Sequence, residues 1–142
     1  MPEIRSAAKI EHLERLIDFV AGHAEMAGFG VNRINEIELA AEEVLVNIFQ
    51  YAYPGTDGDV VIDCRIEDHV RLILEIWDNG EPFNILDVPD PDVTADISDR
   101  EIGGLGVFFV KEMVDEARYR RTGNSNILTL VFNNQQSRGR QC

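Results

Sequence analysis

The sequence predicts an α+β fold, a two-layer sandwich in which helices cover one face of a mainly antiparallel sheet. Apolar residues recur every three to four positions in the first third of the chain, which indicates helices. After Pro54 the period changes to two, which indicates strands. A glycine-led helix and two more strands follow. The 142 residues fit one domain, assigned to residues 1–132, followed by a polar tail at 133–142 that we expect to be disordered.

Two amphipathic helices open the chain. The first is predicted to end near Gly28, and its apolar stripe is formed by Ile10, Leu13, Ile17, Val20 and Ala24. The second begins at about Asn32, the candidate N-cap, and stops before the turn dipeptide Pro54–Gly55. Its apolar face is formed by Ile34, Ile37, Ala41, Leu45 and Ile48.

Four strands are expected after the second helix. The β-rich runs 60–66 and 70–77 are joined by a short polar turn and predict a hairpin. The last two strands, 117–121 and 127–132, flank a turn at Gly123–Asn124. Residues 81–102 are rich in Pro and Asp and are predicted to form a long loop or lid.

Charge and terminal sequence limit the partners and the compartment. The formal net charge of −13 makes nucleic acid and anionic membrane surfaces poor direct partners, because like charges repel. The N-terminus lacks the pattern of a signal peptide, and no apolar run reaches the roughly 18 residues of a membrane span. We therefore expect a cytoplasmic protein.

Glu43 and Asn47 are the first candidate site residues. They lie four positions apart on the second predicted helix and therefore project from the same side. An amide oxygen is a suitable neutral ligand for Mg²⁺, and a carboxylate can orient or deprotonate an attacking hydroxyl. On its own, this spacing is more often a solvated helix face.

Two further segments could contact a nucleotide. Asp78 follows an apolar strand and precedes Gly80, so its carboxylate could accept from an exocyclic amine, although a simple turn is the commoner explanation. The glycines from Gly103 to Gly106 precede a predicted helix at about 107–114, where free backbone N–H groups can bind phosphate. This segment matches neither a Walker loop nor a Rossmann fingerprint, and an ordinary loop-to-helix junction is an equal alternative.

Taken in order, these motifs resemble the N, G1 and G2 boxes of the GHKL superfamily of ATPases and kinases. The short chain is most similar to the anti-sigma-factor serine kinases within it. The similar stretches are DNGEPF at 78–83, GGLGVFFVKEMVDEARYRR at 103–121 and NILTL at 126–130. The resemblance covers roughly residues 10–132 and implies a Bergerat-type ATP-binding fold. Pro82 departs from the wider superfamily, which has a second glycine at that position.

The resemblance also implies a role for each site residue. Asn47 would ligate Mg²⁺, Glu43 would be the catalytic base, and Asp78 would bind the adenine amine. The other implied nucleotide contacts are Gly80 beside the base, Gly103, Gly104 and Gly106 at the phosphates, Thr129 near adenine and Arg100 at the terminal phosphate.

The implied function is a serine/threonine protein kinase that uses Mg²⁺ and ATP. It would phosphorylate a STAS-type anti-sigma-factor antagonist and sequester a sigma factor or a related regulator. The resemblance also implies a homodimer, and the apolar first helix with the short N-terminal segment could supply its interface. The alternative is a non-catalytic binding module that holds the nucleotide only as a structural ligand. The presence of Glu43 favours the enzyme, because a binding module needs no base.

Overall fold

A computed structural model describes residues 2–88 and 102–134 and confirms the predicted fold class. Within these ranges, three α-helices cover one face of a five-stranded antiparallel sheet with strand order β1-β2-β3-β5-β4. The elements are β1 (Glu3–Ala7), α1 (Leu13–Met26), α2 (Val31–Asn47), β2 (Asp59–Glu67), β3 (Arg71–Asp78), α3 (Ile102–Met113), β4 (Glu116–Thr122) and β5 (Ser125–Asn133). None of the helices in these ranges is long and apolar enough to cross a membrane.

The N-terminal part differs from the prediction in two places. Strand β1 was not predicted, and it forms the edge of the sheet by pairing with β2 from Glu3↔Asp63 to Ala7↔Asp59. The N-cap of α2 is Gly30, so the assignment of Asn32 was wrong. The end of α1 agrees with the prediction, because the chain leaves the helix through Gly28, whose φ of 87° favours glycine.

The core lies between the helices and one face of the sheet. Strand side chains alternate between faces, so Leu74, Ile76 and Asp78 of β3 point toward the helices. The helices bury Leu16 and Val20 of α1 and, from α2, Ile37, Ala41, Val44 and Leu45. Asp78 is therefore a carboxylate at the end of an otherwise apolar row.

Arg33 joins α2 to the segment that follows α3. Its guanidinium donates to Asp115 Oδ2 at 2.5 Å and to the carbonyl of Met113 at 2.8 Å. Asp115 Oδ2 also accepts from the backbone N–H of Asn133 at 2.8 Å. One partly buried ion pair thus fixes the end of α3 against α2 and β5.

The boundaries of the third helix and of the last strand also differ from expectation. Helix α3 begins at Ile102 rather than near 107, so the glycines from Gly103 to Gly106 lie in its first turns. Strand β5 includes Asn133, which had been assigned to the tail. The remaining lid residues 89–101 and tail residues 135–142 lie outside the described residues.

Candidate nucleotide-binding site

The C-terminal turn of α2 carries Asn47 with its amide already oriented. Asn47 is 4% exposed, and its Nδ2 donates to the backbone carbonyl of Glu43 at 2.7 Å. An amide has a donor side and an acceptor side, so this hydrogen bond directs Oδ1 away from the helix backbone. Asn47 can therefore offer Oδ1 as a ligand while its Nδ2 is bonded within the helix.

Glu43 lies against the first turns of α3. A Cβ atom added to Gly106 would collide with the Glu43 carboxylate, so glycine at that position leaves room for this side chain. Partial burial raises the pKa of Glu43, and the charge of Glu42 adds to the effect. A raised pKa suits a general base, because the carboxylate then holds a proton more readily near neutral pH.

Asp78 is buried at the end of β3, with 3% of its surface exposed. Its Oδ1 accepts from the N–H of Gly80 at 2.9 Å and from Nδ2 of Asn126 at 2.8 Å. Burial raises the pKa of Asp78, against the opposing effects of these hydrogen bonds and the nearby charge of Arg121. Within residues 2–88 and 102–134 no protein donor is bonded to Oδ2, which can accept from a ligand.

The turn after Asp78 is attached to the end of α2. Residues Ile48–Ala52 form a π-helical turn, and the carbonyl of Ala52 accepts from the N–H of Glu81 at 2.8 Å. A Cβ at Gly80 would collide with that same carbonyl. The hydroxyl of Tyr53 accepts from the N–H of Asn79 at 2.8 Å. Because the π-helical turn follows Asn47 directly, it links the Asn47 segment to the Asp78 turn.

A small cavity lies between these elements. Its polar lining is Asp78, Asn126 and Tyr119, and its apolar lining is Ile48, Ile76, Phe83, Ile85 and Leu128. Beside it, the rings of Tyr51 and Phe83 stack with centroids 5.3 Å apart. The cavity has room for only about one water molecule, but its apolar walls and single carboxylate acceptor match the chemistry of a flat heteroaromatic ring that carries an amine.

The family model for the histidine kinase-like ATPase domain matches residues 6–132. The chain belongs to this family. Its curated relatives include the serine-protein kinase RsbW of Listeria monocytogenes serovar 1/2a, which is 28% identical over 123 residues, covering 82% of this chain and 78% of the relative. RsbW of Bacillus thuringiensis strain Al Hakam is 25% identical over 134 residues, covering 92% and 83%.

Solved structures show the same histidine kinase-like ATPase fold. The RsbU and RsbW domains of a Mycobacterium tuberculosis protein match with a TM-score of 0.61 at 14% identity, covering 93% of this chain and 32% of that chain. A blue-light activated histidine kinase from Erythrobacter litoralis matches with a TM-score of 0.58 at 18% identity, covering 89% and 42%. This chain therefore spans less than half the length of either structure.

Most of the candidate residues of this ATPase domain lie on segments that contact one another or line the same cavity. Glu43 contacts the turn that contains Gly106, while Gly103 and Gly104 precede it in the same helix. Ile48, adjacent to Asn47, lines the same cavity as Asp78. Arg100 lies outside the described residues.

Thr129 is not brought to the cavity. In the pairing of β3 with β5, Asn126 lies opposite Asp78, whereas Thr129 lies opposite Glu75. Because side chains alternate along a strand, Thr129 points to the face of the sheet away from the helices. The sequence-based placement of Thr129 beside adenine is therefore corrected: the β5 side chain next to Asp78 is Asn126.

Sequence reasoning missed Asn126 as a site residue. Strand β5 is buried on both faces, so from Ile127 to Phe132 it is apolar at five of six positions and lacks a period of two. The available signal was the alternation of side chains along a strand. Asn126 lies two and four residues before Leu128 and Leu130, which belong to the core, and therefore shares their face. Counting in steps of two from those leucines selects Asn126 and rejects Thr129, but only the fold shows that the leucines, and not Ile127 and Val131, face the helices.

Proposed function

We propose that the chain binds ATP with its adenine in the cavity beside Asp78. The observation that carries this proposal is the buried Asp78 carboxylate, whose Oδ1 is bonded within the protein while Oδ2 is available at an apolar cavity. Oδ2 would accept from the exocyclic amine of adenine, and Gly80, whose lack of a Cβ lets the turn pack on Ala52, would flank the base. Gly103 and Gly104, in the first turn of α3, would present backbone N–H groups to the phosphates, whereas Gly106, in the second turn, leaves room for Glu43.

The residues present also fit a magnesium ion that accompanies the nucleotide. Mg²⁺ bound with phosphates commonly takes only one or two protein ligands. Asn47 would supply one through Oδ1, the oxygen left available by its Nδ2 hydrogen bond. ATP would supply the phosphoryl group, and Glu43 would accept the proton of the attacking hydroxyl.

The proposed reaction is phosphorylation of a serine or threonine on a STAS-type anti-sigma-factor antagonist. The protein would also sequester a sigma factor or a related regulator. Support comes from the curated relatives, which are named serine-protein kinases, and from the presence of Glu43. We further propose that the protein acts in the cytoplasm as a homodimer.

Incubation with labelled ATP, Mg²⁺ and antagonist proteins encoded near this gene tests the proposal. Label should appear on a serine or threonine of one antagonist with the wild-type protein and should be lost with Glu43→Gln. Glu38→Gln, on the same helix, is the matched control and should transfer label normally. If the wild type binds ATP and a sigma factor but labels no antagonist, the chain is a binding module. Absence of ATP binding would reject both functions.

A further inference from the structure

Asn126 is the centre of a hydrogen-bond network at the end of β5. The residue is 3% exposed. Its Oδ1 accepts from the Tyr119 hydroxyl at 2.5 Å, from Arg121 Nη1 at 3.1 Å and from the N–H of Phe83 at 3.3 Å. Its Nδ2 donates to Asp78 Oδ1 and to the carbonyl of Glu81, each at 2.8 Å.

This network permits one orientation of the Asn126 amide. A flipped amide would place Nδ2 against the guanidinium of Arg121 and the N–H of Phe83, which are donors. It would also place Oδ1 against Asp78 and the Glu81 carbonyl, which are acceptors. Each such mismatch in a buried site is costly, so the amide is fixed with its N–H groups toward Asp78.

Because Asn126 always donates to Asp78 Oδ1, the other oxygen, Oδ2, is the one that faces a ligand. With Oδ1 engaged by Gly80 and Asn126, Oδ2 alone remains to accept from a ligand. An ionised carboxylate has no proton to donate, so Oδ2 attracts an amine and repels a carbonyl oxygen. A purine with a 6-amino group is then favoured over one with a 6-oxo group.

We infer that Asn126 is a positioning residue that keeps the Asp78 carboxylate oriented with Oδ2 toward the ligand, and thereby sets the preference for a 6-amino purine. The inference rests on the nucleotide site proposed above. Strand β4 takes part through Tyr119 and Arg121, which hold the Asn126 amide. Arg121 also donates to the carbonyl of Gly80 at 2.8 Å, so the same strand supports the turn after Asp78.

The charged and titratable groups around Asp78 predict how ATP binding should depend on pH. Arg121 and Tyr119 face it from β4, and Tyr53 faces it from the segment after α2. The hydrogen bond from Asn126 lowers the pKa of Asp78 against the larger effect of burial. Loss of Asn126 should therefore raise that pKa, so Asp78 would become protonated at a higher pH.

Calorimetric titration of the full chain with ATP and with inosine triphosphate, over a range of pH, tests the inference. The wild type should prefer ATP and lose affinity as the pH falls through the Asp78 pKa. In Asn126→Ala the ratio of ATP affinity to inosine triphosphate affinity should fall roughly tenfold or more, because the hydrogen bond from Asn126 to the Asp78 carboxylate is lost. The pH midpoint of ATP binding should also move upward.

Controls separate positioning from general loss of structure. Asn124→Ala, in the exposed turn before β5, should match the wild type in both measurements. If Asn126→Ala does not fold, Asn126→Ser keeps a polar group beside Tyr119 but is too short to reach Asp78, and the same changes are expected. An equal loss of both nucleotides with an unchanged pH midpoint would overturn the inference. Failure of the wild type to bind ATP would instead reject the proposed site, and this inference with it.

Discussion

The side-chain Nδ2 of Asn47 donates to the backbone carbonyl of Glu43, one helical turn earlier, at 2.7 Å. The two residues share a helix face but should have separable roles. Asn47→Ala removes the oxygen proposed to hold Mg²⁺ and should abolish Mg²⁺-dependent ATP binding together with phosphoryl transfer. Glu43→Gln keeps the shape of the side chain and removes the base. It should retain ATP affinity while transfer falls by roughly 10²–10⁴-fold.

Calorimetry and a single-turnover transfer assay on the same preparations check this separation. Asn35→Ala, near the exposed start of α2, is the control for removing an amide from this helix. Wild-type transfer by Glu43→Gln would show that Glu43 is not the base. Undiminished Mg²⁺-dependent binding of ATP by Asn47→Ala would show that Asn47 is not a Mg²⁺ ligand.

Asp78→Asn should change which purine is bound. Gly80 N–H and Asn126 Nδ2 would hold the oxygen of the new amide, so its NH₂ group would face the cavity. That group repels the amine of adenine, and the charge-assisted hydrogen bond is lost, at a cost of about 1.5–3 kcal/mol. ATP affinity should fall and the affinity for inosine triphosphate should rise. Calorimetry with both nucleotides measures this, and equal affinity for ATP in variant and wild type would contradict it.

The same substitution should stabilise the nucleotide-free protein at neutral pH. Burial raises the pKa of Asp78 above its ordinary value of 3.8, so the folded state binds the proton more tightly than the unfolded chain. The free energy of unfolding therefore falls as pH rises from 3.8 through the folded-state pKa. Asp78→Asn removes this dependence. Urea unfolding of both proteins at acidic and neutral pH checks it, and the difference should grow toward neutral pH.

Gly80 and Gly22 should respond oppositely to alanine. At Gly80 a Cβ would meet the backbone carbonyl of Ala52, which cannot move freely, so Gly80→Ala should cost about 1–3 kcal/mol. At Gly22, inside α1, no atom lies within 4 Å of the added Cβ. Gly22→Ala should therefore stabilise the fold by up to about 1 kcal/mol through helix propensity. Thermal unfolding compares the stability of the two variants. An unchanged stability for Gly80→Ala would contradict close packing of the turn after Asp78 on Ala52.

Arg33→Ala should destabilise the fold strongly, because it leaves Asp115 without its guanidinium partner in a partly buried site. The two side chains are only 19% and 11% exposed, and breaking such a pair costs on the order of 3 kcal/mol. Arg118→Ala breaks the exposed pair with Glu116 and should cost at most about 1 kcal/mol. Chemical denaturation measures the free energy of unfolding of both variants. Similar losses would show that the Arg33–Asp115 pair contributes no more to stability than the exposed pair.

The amino-acid sequence determined the elements whose signals are local. The three-to-four-residue periodicity located α1 and α2, and the change to alternation located β2 and β3. Glu43 and Asn47 could be paired because helical geometry fixes the relation of residues four apart. Strand β1 gave no comparable signal, since it is a short edge strand whose partner β2 lies more than fifty residues away.

Tertiary structure decided how distant segments meet. The register of β5 against β3 places Asn126 beside Asp78 and turns Thr129 to the opposite face, and no local pattern in β5 specifies that register. The packing of α3 on α2 likewise decides that Gly106 must leave space for Glu43. Local periodicity reports which residues are buried, whereas contacts between segments depend on pairing and packing that only the assembled fold defines.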